Sequence, residues 1–164
     1  MQNLLLIAAS FISSIAFSQR YLESNEKLIF SFNTINGKKM VLAKDSSNQY
    51  IIYRFGTNDK IEFEFPGKNK ESWSKFKYSF YLRGGGAQND GMDLDHVYFS
   101  NNGFQYVIYN EYYAAENKIS AGIKITDSTT KKTTNIHALP KTRKGTLMDF
   151  RDNNLLEVTD ELSG

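Results

Sequence analysis

The sequence predicts an all-β fold, either a single antiparallel β-barrel or a β-sandwich of about eight to ten short strands. Two observations lead to this prediction. Apolar and polar residues alternate along most of the chain after Lys27, a spacing that turns one face of each strand toward a core. Turn-forming pairs such as Asn36-Gly37 and Pro66-Gly67 separate the alternating segments, so no helix of useful length is expected.

The first half of the chain predicts four strands. The segments "KLIFSFN" and "KKMVLAK" flank Asn36-Gly37, a pair that favours a tight hairpin turn. The nearly continuous apolar segment "QYIIYRF" predicts a central strand. A turn at Gly56 joins it to "KIEFEF", in which Ile61, Phe63 and Phe65 are predicted to face the core.

The second half of the chain predicts five strands and two weaker candidates. "HVYFS" and "FQYVIYNEYY" flank a turn at Asn102-Gly103 and predict a hairpin, and "KISAGIKITD" is expected to pair with "KKTTNIHAL". "TLMDFRD" and "NLLEV" are candidates for the last two strands. In the segment "SKFKYSFYLR", alternation predicts that these side chains face inward: Phe76, Tyr78, Phe80 and Leu82.

The length of 164 residues predicts one domain, preceded by a targeting segment. Residues 1–19, "MQNLLLIAASFISSIAFSQ", hold an apolar stretch of signal-peptide length, and the small residues near its end predict cleavage after Ser18 or Gln19. The alternative is a buried N-terminal helix. The expected product is a single β domain over residues 20–164, exported to the periplasm or beyond, with no membrane association once the signal peptide is removed.

Composition excludes several kinds of chemistry. The chain has no cysteine, so thiol catalysis, Cys-ligated zinc and disulfides are excluded. A formal net charge of +2 gives no reason to expect a nucleic-acid partner. His96 and His137 do not form a metal-spaced pair and are predicted at exposed strand edges. Glu62 and Glu64 are predicted on a solvated strand face, and we expect a monomer without catalysis, cofactor or metal.

The best candidate site is the glycine-rich loop predicted from Gly84 to Asp95, because long connections within compact domains are often functional. Consecutive glycines can expose N–H groups that bind an anion, and the acidic residues offer oxygen ligands without the order of an EF-hand calcium loop. The alternative is a long hairpin connection with solvated carboxylates. The candidate binding residues on this loop are Arg83, Gly84, Gly85, Gly86, Asn89, Asp90, Asp93 and Asp95.

Two tyrosines complete the candidate site. Tyr81 and Tyr109 fall on the polar side of their predicted strands, where amphipathic aromatic rings can stack on sugars or anchor a protein partner. The alternative is that they pack on a second buried sheet face. The expected function is therefore a non-catalytic protein-binding or inhibitor module that uses the loop after Arg83. The alternative is a glycan-binding or glycan-degrading domain that uses the exposed tyrosines.

Three stretches carry a family resemblance. "YIIYRFGTNDKIEFEFP", "SFYLRGGG" and "GFQYVIYNEYY" resemble a family of small exported bacterial β-domains of uncharacterised activity. "YRFGTNDKIEFEF" is also similar to the periplasmic C-type lysozyme inhibitors, small exported β-barrels that insert a loop into the lysozyme cleft. That family has a cysteine pair, which this chain lacks, and no inhibitory residue carries over onto "RGGGAQNDG". The resemblance implies an exported β-fold.

Overall fold

The computed structural model describes residues 21–160, and within this range the chain forms two β-sheets packed face to face. The all-β prediction is confirmed, and the arrangement is that of a sandwich. Four short 3-10 segments interrupt the strands, at Lys70–Lys75, Ala87–Asn89, Pro140–Thr142 and Met148–Arg151. The predicted signal peptide at residues 1–19 lies outside the described residues.

The strands follow in chain order. They are β1 (Glu26–Asn33), β2 (Lys38–Asp45), β3 (Ile51–Thr57), β4 (Ile61–Phe65), β5 (Phe76–Arg83), β6 (Met92–Asn101), β7 (Phe104–Tyr113), β8 (Lys118–Asp127), β9 (Thr133–His137), β10 (Lys144–Gly145) and β11 (Glu157–Thr159). The first sheet has the order β10-β1-β2-β3-β4, and the second has the order β11-β5-β6-β7-β8-β9. All neighbours are antiparallel except β11, which runs parallel to β5.

The core lies between the inner faces of the two sheets and is rich in aromatic rings. Phe99 of β6 stacks on Tyr106 and on Phe65, with ring centroids 4.7 Å apart in both pairs. Tyr53 of β3 and Phe76 of β5 complete the contact with Phe99 from the two sheets. Such contacts join the sheets across strands that are distant in sequence, and each adds about 0.5–1.5 kcal/mol beyond the burial of area.

One predicted core residue lies on the opposite face. Phe63 and Phe65 pack against the core, as predicted, whereas Ile61 packs on the outer face of the first sheet. The reason is a register shift between β3 and β4, where Phe55 is opposite Phe63 but Gly56 is opposite Ile61. The extra residue in β4 reverses the face that the preceding side chain occupies.

A buried arginine fastens the start of the described chain to the outer face of the first sheet. The guanidinium of Arg54 donates to both carboxylate oxygens of Glu26, at 2.6 and 2.8 Å, and to Glu64 at 2.7 Å. It also donates to the backbone carbonyl of Tyr21 at 3.0 Å. The Tyr21 hydroxyl in turn donates to the Thr57 carbonyl at 2.7 Å, and burial raises its pKa to about 12. Residues 21–26 are thereby held across the sheet.

The segment after β9 joins the two sheets along the edge of β1. Ala138 forms a bridge with Thr34, and the Leu139 N–H donates to the Asn33 carbonyl at 2.8 Å. Further along, β10 pairs with β1, so this segment covers the edge that β1 would otherwise expose.

We expect Arg54→Met to lower the free energy of unfolding by about 3–5 kcal/mol, because the fully buried carboxylate of Glu26 would lose its cation. Lys38→Met is the matched control, since the Lys38–Glu62 pair is exposed and should contribute less than about 1 kcal/mol. Urea unfolding of both variants measures the difference. Equal losses would show that the Arg54 pair behaves as a surface pair.

Candidate functional site

The inner face of the second sheet extends beyond the first sheet that covers it. At the far end of β5 to β8, the register places four side chains in one row across the sheet, defined here as the open row: Leu82, Asp93, Tyr112 and Ile119. Leu82 is 60% exposed, and Tyr112 and Ile119 are also exposed. Leu82 was predicted to face inward; it does point to the inner face, but no strand of the first sheet lies over it.

Two arginines of the C-terminal segment close the core next to the open row. Arg151 donates to Asp93 and to Asp95, the latter at 2.8 Å, and its guanidinium lies 5.0 Å from the Phe80 ring centroid. Arg143 donates to the Asn110 side chain at 2.7 Å. These contacts cover the second row of inner-face side chains. Phe80, predicted to face inward, lies on the inner face but stays 38% exposed beside the Arg151 guanidinium.

Two of the predicted loop ligands are therefore structural. Asp93 and Asp95 belong to β6 and not to the loop, because the strand begins at Met92. Asp95 is buried and accepts hydrogen bonds from Arg151 and from the Tyr78 hydroxyl. Burial, followed by the hydrogen bond to Asp95, raises the pKa of Tyr78 well above its usual range. Asp95 is thus a counter-ion in the core and is not available to a ligand.

The loop itself runs from Gly84 to Gly91 and is closed by its own hydrogen bonds. Arg83 donates from its Nε and one terminal nitrogen to the Asp90 carbonyl, at 2.9 and 2.7 Å. The Gly91 N–H donates to the Gly86 carbonyl at 2.8 Å. The Arg83 guanidinium, predicted to bind a ligand, is therefore used to hold the loop.

The loop and the open row form one continuous surface, named here the loop–row surface. Every loop residue from Gly84 to Asp90 is exposed, including the predicted ligands Gly84, Gly85, Gly86, Asn89 and Asp90. A shallow cavity of about 210 Å³ lies between the loop and the row, and Leu82, Gly86 and Tyr112 are among the residues that line it. The structure thus brings together the loop residues with Leu82 and Tyr112, which sequence reasoning did not place at the site.

The prediction that Tyr81 and Tyr109 are both exposed is wrong for Tyr109. Tyr81 is 41% exposed on the outer face of the second sheet, whereas Tyr109 is only 3% exposed. The Tyr109 ring lies across Gly122, where a Cβ would come within 2.6 Å of its hydroxyl, and the hydroxyl bonds to His137 Nδ1 at 3.0 Å. A glycine on the neighbouring strand thus allows the ring to pack down. The alternative of a second buried face is correct for Tyr109.

The same outer face holds three buried polar side chains whose burial was not predicted from the sequence: Ser79, His96 and Glu111. His96, predicted at an exposed edge, is buried and bonds through Nε2 to Glu111 at 2.9 Å, whereas His137 is exposed as predicted. Burial acts to raise the pKa of Glu111, but hydrogen bonds from His96 and from Tyr113 bring it below its usual value. Ser79 lies opposite His96, and within residues 21–160 neither the Ser79 hydroxyl nor His96 Nδ1 has a hydrogen-bond partner.

Serine, histidine and glutamate in this order resemble a hydrolytic triad in composition. Ser79 is fully buried and His96 is 3% exposed, so a substrate has no access to the hydroxyl. These three side chains are best interpreted as buried polar packing on the outer face of the second sheet. Among residues 21–160, no group of three or more His, Cys, Asp or Glu side chains is arranged to hold a metal ion. In the same range, no helix is long and apolar enough to cross a membrane.

Comparisons of this chain with protein-family models, with curated proteins and with solved structures found no match. The family resemblances noted in the sequence therefore stay predictions, and the interpretation of the site depends on its geometry.

We expect Gly85→Ala to destabilise the protein by about 1–2 kcal/mol, because Gly85 has a φ of +99° and an added Cβ would meet Asn89. Gly84→Ala is the control next to it, since a Cβ there meets nothing within 4 Å. That change should be neutral or stabilise by up to about 0.5 kcal/mol. Thermal unfolding would contradict the described loop conformation if both changes had the same sign and size.

Substitution of two buried serines, Ser72 and Ser79, tests whether the Ser79 hydroxyl has a hydrogen-bond partner. The Ser72 hydroxyl accepts a hydrogen bond from the Ile51 N–H at 2.9 Å, so Ser72→Ala should cost about 1–3 kcal/mol. The hydroxyl of Ser79 is unsatisfied, so Ser79→Ala should leave stability unchanged or raise it by about 1 kcal/mol. Urea unfolding measures both. A loss for Ser79→Ala as large as that for Ser72→Ala would mean that the Ser79 hydroxyl has a partner.

Proposed function

We propose that this protein is an exported, non-catalytic binding module that holds a protein partner on the loop–row surface. The observation that carries the proposal is the exposure of the open row. Leu82, Tyr112 and Ile119 are apolar side chains on the inner face of a sheet, a position that proteins normally bury. Asp93 lies between Leu82 and Tyr112 in this row, so exposed apolar side chains and a paired carboxylate are mixed there, as they are in many protein interfaces.

The loop supports this proposal by its organisation. Because Arg83 and the Gly91 N–H close the loop within the chain, little conformational entropy remains to be lost when a partner binds. Exposed Asn89 and Asp90 supply a polar rim beside the apolar row, the arrangement that protein interfaces favour. The export part of the proposal depends on the sequence of residues 1–19.

The glycan alternative has less support. It required Tyr81 and Tyr109 to be exposed together with a carboxylate within reach. Tyr109 is instead buried, and its hydroxyl bonds to His137. Tyr81 is exposed on the outer face, whereas the loop–row surface uses the inner face of the same sheet. A protein partner on the inner-face surface is therefore the better-supported function.

The test is site-specific cross-linking from the purified chain, starting at residue 20. A photo-reactive amino acid at residue 88, within the loop, would be activated in extracellular and periplasmic extracts. We expect one protein to be cross-linked and, once purified, to bind the chain directly in calorimetry. Leu82→Asp should weaken that binding at least about tenfold, because a carboxylate would be desolvated in an apolar contact.

Ile35→Asp is the matched control, because Ile35 is an equally apolar, 82% exposed residue on the turn between β1 and β2. It should leave the affinity for that partner unchanged. Equal affinities for the wild type and Leu82→Asp would place the site elsewhere. If a labelled glycan bound instead, and Tyr81→Ala abolished that binding, the protein-binding proposal would be wrong.

A further inference from the structure

Strand β9 forms an edge of the second sheet, and β8 is its only neighbour among the described strands. The Ala138 N–H donates to the Ala121 carbonyl at 2.9 Å, so the backbone of residue 138 faces β8. Because this direction alternates along an antiparallel ladder, Thr133 and Asn135 direct their N–H and C=O groups away from β8, whereas at His137 this side is taken by the Thr34–Ala138 bridge. Between Thr133 and His137 the strand has no proline, charged side chain or register shift, the features that usually protect an edge.

An apolar groove runs beside this edge. It has a volume of about 440 Å³ and separates β9 from the turn between β1 and β2. Ile35 at the tip of that turn is 82% exposed, and Ile136 and Leu139 also line the groove. A strand added to β9 would direct alternate side chains toward these residues, because successive side chains of a strand point to opposite faces.

The surroundings of the edge are strongly cationic. Between Asp127 and Asp149 the sequence has no carboxylate, and five cations lie there in a chain whose net charge is +2: Lys131, Lys132, Lys141, Arg143 and Lys144. The Arg143 side chain is used by Asn110. Lys132 immediately precedes β9 and Lys141 follows it closely, and neither forms a salt bridge with residues 21–160. Lysines without a salt bridge therefore flank the edge at both ends, with Asp127 at the register position opposite Lys132.

We propose that the β9 edge is a second docking surface, which takes an extended acidic segment of another polypeptide as an added strand. Backbone pairing with Thr133 and Asn135 supplies the attachment, and an apolar side chain enters the groove beside Ile35. Carboxylates at either end of the added segment meet Lys132 and Lys141. This surface is separate from the loop–row surface and does not depend on the proposed function.

The charges favour an acidic partner over a second copy of this chain. Antiparallel pairing of two β9 edges would bring Lys132 of each copy toward the region of Lys141 in the other, which places like charges together. The carboxylates of an acidic segment would instead be attracted to Lys132 and Lys141.

The experiment is a fluorescence anisotropy titration of the purified chain with the labelled peptide DDTVTVTDD. We expect saturable binding that weakens with added salt, and at least about tenfold weaker binding of the control peptide KKTVTVTKK. A version of the acidic peptide methylated on the backbone nitrogens of both valines tests strand pairing without altering the protein. It should also bind at least about tenfold more weakly, because it cannot donate to the edge carbonyls.

Protein variants locate the site. Asn135→Pro removes an N–H that points away from β8, and the charge reversals Lys132→Glu and Lys141→Glu alter exposed side chains, so all three should fold normally in urea unfolding. Each should weaken peptide binding at least about tenfold, whereas Leu82→Asp should not change it. Equal binding of the acidic, basic and methylated peptides would overturn the proposal. The proposal would also be overturned if the charge reversals weakened binding but Asn135→Pro did not. Sedimentation showing that a second copy occupies the edge would overturn it as well.

Discussion

The Arg151–Asp95 ion pair is the interaction on which the second sheet depends. Asp95 is fully buried among inner-face side chains, at the point where the first sheet ceases to cover the second. A buried carboxylate without a partner is costly, and Arg151 neutralises it while its guanidinium covers the ring of Phe80. The pair thus marks the boundary between the closed core and the open row. The open row and the loop lie beyond that boundary, outside the closed core.

Much of the fold could be predicted from the sequence because alternation is a local signal. The hairpin at Asn36-Gly37, the strand from Phe104 to Tyr113 and the inward face of Phe63 and Phe65 all follow from spacing and turn chemistry. Ile61 was placed on the wrong face because a single extra residue in β4 shifts the register. Bulges of this kind leave no reliable local signature.

The site could be predicted only in part. The loop after Arg83 was located correctly, but its end was set too late, since the acidic run that looked like loop is the start of β6. Asp95 and Arg151 are 56 positions apart, and Tyr109 and His137 are 28 apart, so no local pattern couples them. The burial of Tyr109 depends on Gly122 lying on the adjacent strand, which requires the strand register to be known.

The separation of 56 positions between Asp95 and Arg151 has a consequence for the order in which the protein folds. Asp95 is synthesised well before the arginine that neutralises it, and β11, which pairs with β5, comes later still. The second sheet therefore cannot reach its final packing until Arg151 and β11 have been synthesised. A stop codon shortly before Arg151 would leave most strands intact, but the buried Asp95 carboxylate would have no cation beside it.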